Sequence, residues 1–386
     1  MFIDIDCAQI KKHGQNAFGD YFVSKRTDNQ ERVLAVLSDG LGSGIKANIL
    51  SCMTSTMLLR FIEEDIPIQK AASIIMDSLP VCQIRKISYA TFSAIDCRND
   101  GSVWVVEEGN PSFVLMRNNS DIPLEYTEFS SPKFPDRQLK LYQFKAQDGD
   151  RIVFCSDGVS QAGIGTPEYP LGFQRKGLIE FLKSYLNTNS NVSSTKLAGD
   201  VIQKALTIEP KQHAGDDISC AVLYFRKPRK ALIFTGPPYN RVKDREYCLS
   251  FGFFSGKKAI CGGTTANMIS RELKREIINV THKTSGDLPP IAKMNGVDLV
   301  TEGILTLTRA SEYLEREELK HRDAAGLLVD FLLSSDIIEF MVGAMLNQAH
   351  YDPSLPIEIE VRRTIIKKIK NTLENKYFKQ VIIHYI

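Results

Sequence analysis

Four stretches of this sequence set aspartates at the ends of apolar runs. Residues 34–44, LAVLSDGLGSG, carry Asp39, and residues 151–161, RIVFCSDGVSQ, repeat the Ser-Asp-Gly design with Asp157. Residues 214–224, AGDDISCAVLY, put Asp216 and Asp217 just before an apolar run, and Phe18-Gly-Asp-Tyr-Phe-Val23 puts Asp20 at the start of another. Burying an ionised carboxylate without a partner is expensive, so each must face a cation, backbone N–H donors or water. Gly40, Gly42 and Gly44 let the backbone approach a ligand closely, and a helical pattern from Ile45 points its first N–H groups back at the turn. Taken alone, that stretch reads equally as a strand-to-helix turn in which Asp39 caps the helix. Recurrence favours a site. Four aspartate-bearing strand ends without His or Cys form an oxygen-only donor set, which suits Mg²⁺ or Mn²⁺ rather than zinc or copper.

The order and wording of these stretches resemble the PPM family of metal-dependent serine/threonine protein phosphatases, most closely its SpoIIE-like bacterial branch. The resemblance covers residues 1–226. It implies an α/β/β/α sandwich of mainly antiparallel sheets, and a centre holding two Mn²⁺ or Mg²⁺ ions. Asp39 would bridge both ions, the Gly40 carbonyl and Asp20 would serve the second, and Asp157 and Asp216 would complete the first. Asp39, Asp157 and Asp216 then carry catalysis. Asp217 stands where the family often has Asn, which ranks it below Asp216. The implied substrate is a phosphoserine or phosphothreonine protein, typically in this branch a phosphorylated anti-sigma-factor antagonist, attacked by a metal-activated water.

The whole chain bounds the remaining classes. At 386 residues it is long for one domain, and 43% hydrophobic with 24% charged residues suffices for a sizeable core. A net charge of +2 gives no electrostatic case for nucleic acid. There is no run of about 18 apolar residues, and the start, Met1-Phe-Ile-Asp-Ile-Asp, lacks the layout of a secretion signal, so no membrane partner and a cytoplasmic location are expected. The eight cysteines form no Cys-x-x-Cys pair and read as free buried thiols.

The elements that must position the aspartates follow from hydrophobic periodicity. Residues 3–8, 18–24 and 32–37 read as strands, the last delivering Asp39. Two helices follow, 45–62 with Ile49, Leu50, Met53, Met57, Leu58 and Phe61 as its core face, and 68–79 with Ala71, Ile74, Ile75 and Leu79. In the SpoIIE-like branch these two helices act as a switch, an implication of the resemblance alone. Further strands are expected at 89–96, 102–108, 113–116 and 139–144, with Glu108-Gly-Asn-Pro-Ser112 as a turn; Asn110 reads as turn-forming. Residues 161–175, rich in Gly and Pro, resemble the family's variable flap and are a candidate for choosing substrates. His13 reads as a solvated loop residue, and Arg26 and Arg32 match no phosphate-gripping motif. Helices at 177–186 and 194–206 and a strand to 226 close the domain.

A Pro within the basic run Phe225-Arg-Lys-Pro-Arg-Lys230 marks a joint, and a second α/β domain is expected over 231–386. Residues 231–238 and 257–265 each read as a strand ending in a sharp turn, and Cys261-Gly-Gly-Thr-Thr265 leads into a helix at 266–276. Gly263, Thr264 and Thr265 form a candidate cradle for a small anionic ligand, or a capped structural turn; no nucleotide fingerprint is matched. Asp298, Thr301 and Glu302, within residues 297–304, could join it, or that stretch is a strand and a helix start with Thr301 and Glu302 near the helix N-terminus. A helix at 326–333, a strand at 337–343, a basic helix at 356–370 whose Arg362, Arg363, Lys367 and Lys368 face reads as solvated, and a strand at 380–386 complete the chain. This domain would be a sensor, and a homodimer is compatible with the reading. Two rival functions stay open: a catalytically silent scaffold on a phosphatase fold, and a phosphatase of small metabolites.

Overall fold

The computed structural model describes residues 1–386 except 28–30, 43, 79–89, 280–290, 319–320 and 344–354. Leu79, Cys82 and Tyr89, read above as a helix end, a buried thiol and a strand start, lie outside the described residues. The chain divides into two units, Met1–Lys227 and Pro228–Ile386.

In the first unit the order is β1 (Phe2–Ile10), β2 (Asp20–Arg26), β3 (Arg32–Gly40), α1 (Ile45–Glu63), α2 (Ile68–Ser78), β4 (Ala90–Arg98), β5 (Ser102–Glu108), β6 (Val114–Arg117), β7 (Ser120–Asp121), β8 (Thr127–Ser130), β9 (Gln138–Lys145), β10 (Arg151–Cys155), α3 (Asp157–Ser160), α4 (Gln174–Thr188), α5 (Ser194–Ile208) and β11 (Ile218–Arg226). Two antiparallel sheets form, β2-β3-β4-β5-β9-β8 and β1-β11-β10-β6-β7. Strand β3 shows why the apolar run is continuous rather than alternating. Val33, Ala35 and Leu37 face the second sheet, while Leu34 and Val36 face α1 and α2, so both of its faces are buried. Helices α4 and α5 cover the outer face of the other sheet through Leu182, Leu197 and Val201. The result is the α/β/β/α sandwich that the resemblance implied.

Helix α1 corrects one expectation. Ile49, Met53 and Met57, read as core, are 52%, 54% and 37% exposed, and the buried face is instead Ala47, Ser51, Thr54, Ser55, Leu58, Leu59 and Ile62. The cause is close approach. A Cβ on Gly40 would lie 2.1 Å from the Ala47 carbonyl oxygen, so only small side chains fit where α1 meets the end of β3. The buried hydroxyls are satisfied within the helix, Thr54 Oγ1 donating to the Leu50 carbonyl at 2.8 Å and Ser51 Oγ to that of Asn48 at 3.1 Å.

The second unit runs β12 (Lys230–Thr235), α6 (Asp244–Phe253), β13 (Lys257–Cys261), α7 (Gly263–Leu273), β14 (Ile277–Asn279), β15 (Ala292–Met294), β16 (Val297–Thr301), α8 (Ile304–Arg316), α9 (Ala324–Leu333), β17 (Ile337–Val342), α10 (Leu355–Tyr377) and β18 (Gln380–Tyr385). Its sheet is ordered β14-β15-β16-β13-β12-β17-β18, with all neighbours from β16 to β18 parallel. Numbered along the chain, the parallel strands lie 3-2-1-4-5, a doubly wound sheet. Ile233, Ala259, Leu307, Leu328 and Ile366 pack on one face and Phe234, Phe251, Ile260 and Ile269 on the other.

Three readings change here. Helix α7 begins at Gly263 rather than Ala266. Helix α6 was not expected; the helix start read near Thr301 and Glu302 is the head of α8, in which the buried Leu307, Ala310 and Leu314 recur at helical spacing. The basic face of α10 is not simply solvated. Lys368 pairs with Glu315 at 2.8 Å, Arg363 lies over the Tyr385 ring at 5.1 Å, and Arg362 packs against Gly236.

Candidate metal centre

Strand pairing brings the acidic stretches of the first unit to one end of the sandwich. Asp20 and Asp39 are directly opposite on β2 and β3, and Asp157 follows β10, whose partner β11 is preceded by Asp216 and Asp217. Both Ser-Asp-Gly stretches are built on one plan. Ser38 Oγ donates to the Thr91 carbonyl and Ser156 Oγ to the Asp217 carbonyl, each tying the neighbouring strand, and both serines are fully buried. The glycines allow contact. A Cβ on Gly158 would meet the Asp217 carbonyl oxygen at 2.1 Å, as one on Gly40 would meet that of Ala47.

The electrostatics are those of crowded carboxyls. Burial pushes the Asp39 carboxyl up to about 9, helped by Asp20, Asp157 and Asp216. Asp20, 2% exposed, is pushed up to about 7, chiefly by burial, although the Ser156 and Ser219 hydroxyls pull it down; Ser219 Oγ donates to Asp20 Oδ2 at 2.6 Å. Asp157 is also raised, by burial and then by Asp216, while Gln161 Nε2 donates to its Oδ2 at 2.8 Å. Among the described residues no three acidic, His or Cys side chains already enclose one point; the carboxyls meet in pairs, Asp39 with Asp20 and with Asp157. In chemistry the donor set still fits hard divalent ions: oxygen only, buried at Asp20 and partly buried elsewhere, and mutually repelling until positive charge enters.

Structure separates the adjacent aspartates. Asp217 is 3% exposed, its Oδ1 accepting from Lys12 N at 3.0 Å and its Oδ2 from Gly19 N at 2.8 Å, so its carboxylate is engaged by backbone donors. The Asp216 side chain is 42% exposed and stands 3.5 Å from Lys12 Nζ. Lys12, Ser156, Ser219 and Gln161 are site neighbours that the sequence reading missed; the serine repeated before both Asp-Gly pairs was the available signal. His13 and His213 stack at 3.9 Å beside this edge, both exposed. Arg26 donates to the Ile3 carbonyl, and Arg32 forks Asp96 at the opposite end of β3 from Asp39. Asn110 is bonded to Thr91, the cross-strand neighbour of Asp39, and to Ser93, so it braces β4. The loop after α3 is pinned at its base, Phe173 N donating to the Ala162 carbonyl at 3.0 Å with both residues buried. Gly263, Thr264 and Thr265 fall in the second unit at the start of α7.

Close by, Glu107 offers a separate test. It is 3% exposed, accepts from Phe113 N at 2.9 Å, and burial pushes it up to about 7. An acid whose folded value exceeds its unfolded one gives full stability only below the unfolded value, here 4.5, and loses it as pH rises towards about 7. Glu107→Gln should therefore remove part of the fall in stability between pH 5 and pH 8, by about 1–3 kcal/mol. Urea unfolding at both pH values in EDTA reads it; an unchanged slope would show that Glu107 ionises as freely as in water.

Four layers with an acidic end define a phosphatase-type α/β/β/α sandwich. The family description of Stage II sporulation protein E (SpoIIE) matches residues 29–226, just over half of the chain, and the chain belongs to that family of PPM-type serine/threonine phosphatases. Among solved structures, the chain is similar to the phosphatase domain and regulatory fragment of SpoIIE from Bacillus subtilis, at 16% identity and a TM-score of 0.48, over 58% of this chain and 62% of that one. It is also similar to the RsbU and RsbW domains of a Mycobacterium tuberculosis protein, at 17% identity and a TM-score of 0.47, over 64% and 67% of the two chains. RsbX in complex with magnesium matches at 17% identity and a TM-score of 0.40, over 57% of this chain and 94% of that one. The chain thus spans less than two thirds of the first of these. Among curated proteins no relative matches.

Proposed function

We propose that the first unit is a Mn²⁺- or Mg²⁺-dependent phosphomonoesterase acting on phosphoserine or phosphothreonine of a signalling protein. The observation that carries this reading is geometric: strand pairing sets Asp20 opposite Asp39 and brings Asp157 and Asp216 to the same end of the sandwich. A cluster that stores repulsion in this way binds a dication strongly, because the ion turns each unfavourable term favourable. Asp20, Asp39, Asp157, Asp216 and the Gly40 carbonyl would hold two ions. Such ions lower the pKa of water and offset the negative charge that develops on a transferring phosphoryl group.

The chain's own residues supply the rest. Ser156 and Ser219 orient Asp20, Gln161 holds one Asp157 oxygen, and the backbone amides of Lys12 and Gly19 fix Asp217 behind them. Lys12 Nζ is the positive charge at the rim and would steer and grip the phosphate, a role that Arg26 and Arg32 are placed too far away to fill. The pinned loop after α3 lies next to Asp157 and offers the surface on which a protein substrate, of the anti-sigma-factor antagonist class in this branch, would rest. A cytoplasmic setting, regulation by the second unit and a homodimer belong to the same proposal. No helix among the described residues is long and apolar enough to cross a membrane.

The test is hydrolysis of a phosphoserine peptide and of p-nitrophenyl phosphate after dialysis against EDTA, with and without Mn²⁺, alongside calorimetric Mn²⁺ binding. Turnover that returns only with Mn²⁺ is expected. Absence of Mn²⁺ binding would sink the reading in favour of a scaffold, and turnover of p-nitrophenyl phosphate but of no phosphopeptide would favour a metabolite phosphatase.

A further inference from the structure

We infer that a hollow on the outer face of the first unit's larger sheet, at the end of β3 opposite Asp39, binds a small aromatic carboxylate. The pairing of β4, β5 and β9 sets Asp96, Trp104 and Gln143 directly across from one another, in the row that continues Leu34 of β3. Leu34 faces α1 and α2, so the whole row lies on the helix-covered face. In the next row Val36, Ala94 and Val106 are buried completely under the helices. Their cover ends over Trp104. A cavity of about 360 Å³ opens there, walled by Asp65 to Gln69, the turn from α1 into α2. That volume suits a small organic molecule.

Charge decides which kind. Two residues beyond Asp96, Arg98 returns to the same face, and β3 sets Arg32 directly opposite it. Like charges so placed repel. Arg32 is answered, its Nε and Nη2 donating to the two oxygens of Asp96 at 2.7 Å each and its Nη1 to Asp65 at 2.8 Å. Arg98 makes no hydrogen bond or ion pair among the described residues, and its guanidinium lies over the Trp104 ring, 5.3 Å from the centroid. Stacking holds that planar fork at the cavity with its N–H edge free, and a carboxylate is the anion that matches such a fork.

A bound anion offsets the repulsion between the two arginines. One negative charge suits the site and two do not, because the buried Asp96 and the exposed Asp65 line the same cavity. The rest of the lining calls for a flat apolar body. Ile66, Pro67 and Leu141 join the Trp104 ring, and the Gln69 and Gln143 amides stand at the exposed rim.

Calorimetry on the full chain in EDTA, which keeps metal from the aspartate cluster, tests this with naphthoate, the neutral naphthamide and the dianionic naphthyl phosphate as probes. Naphthoate should bind about ten-fold tighter than either of the others. Trp104 is the chain's one tryptophan, so its emission should change along the same binding curve. Arg98→Gln should weaken naphthoate at least about ten-fold and leave naphthamide unchanged, without lowering Tm, because Arg98 is exposed and stands opposite Arg32. Asp65→Asn should tighten naphthoate about three-fold, at a position whose φ of 60° suits Asn as well as Asp. Failure of naphthoate to bind at millimolar concentration, equal affinity for naphthamide, tighter binding of naphthyl phosphate, or binding that leaves Trp104 emission or the Arg98→Gln variant unaffected would overturn the inference.

Discussion

Asp39→Asn should yield a protein that folds, melts higher than wild type without metal, and hydrolyses phosphoserine peptide at least about a thousand-fold more slowly. Loss of activity is expected because, on the proposed function, Asp39 would be one of the residues that hold the metal ions. The stability gain follows from the same crowding. An acid raised to about 9 in the fold keeps its stabilising contribution only below its unfolded value and loses it as pH climbs towards 9. Asn cannot ionise, so the variant escapes that loss. Because burial and three neighbouring carboxylates all act on Asp39, a gain of at least about 1.4 kcal/mol at pH 8 is expected, or roughly 3 °C or more in Tm for a unit of this size. Mn²⁺ should reverse the ranking by raising the melting temperature of wild type and not that of the variant. Scanning calorimetry in EDTA and in Mn²⁺ reads both. A variant less stable than wild type in EDTA would show that Asp39 is a structural cap, the alternative its sequence context allowed.

The second large effect is steric. Gly40→Ala and Gly158→Ala each place a methyl group 2.1 Å from a carbonyl oxygen, of Ala47 and Asp217 respectively. In both cases the obstacle is backbone, which cannot swing aside, so α1 or the start of β11 must move. Each substitution should cost about 3 kcal/mol or more, near 6–12 °C in Tm, and should lower Mn²⁺ affinity because the displaced segments carry or adjoin Asp39, Asp157 and Asp216. Gly199→Ala is the control. It lies in α5 with nothing within 4 Å of the added carbon, and should stabilise by about 0.5–1 kcal/mol. Equal melting of Gly158→Ala and wild type would mean that the two strand ends are looser than the packing implies.

Much of the first unit was legible because its signals are local. The apolar runs around Asp39 and Asp157 mark strands buried on both faces, and Ser-Asp-Gly at each end marks a turn that only glycine permits. The face of α1 was not legible. Ile49, Met53 and Met57 recur at helical spacing and read as core, yet the contact between Gly40 and Ala47 forces small residues inward. Nor could periodicity place α6 beside its strands, since it buries only Asp244, Tyr247, Cys248 and Phe251 over ten residues, a weak stripe.

By itself, then, the sequence determined which strand ends bear carboxylates and that their donor atoms are all oxygen, because residue type and local spacing suffice for both. The resemblance ranked Asp216 above Asp217, but only the tertiary structure shows what holds each of the two adjacent aspartates. Asp217 is held by backbone amides of Lys12 and Gly19, 205 and 198 residues earlier, which leaves Asp216 beside Lys12 Nζ at the rim. The same holds in the second unit, where α7 and α8 start apart in sequence and meet only because β13 and β16 pair in parallel. Contacts of that range depend on how closely backbones approach, and spacing along a chain carries no record of that distance.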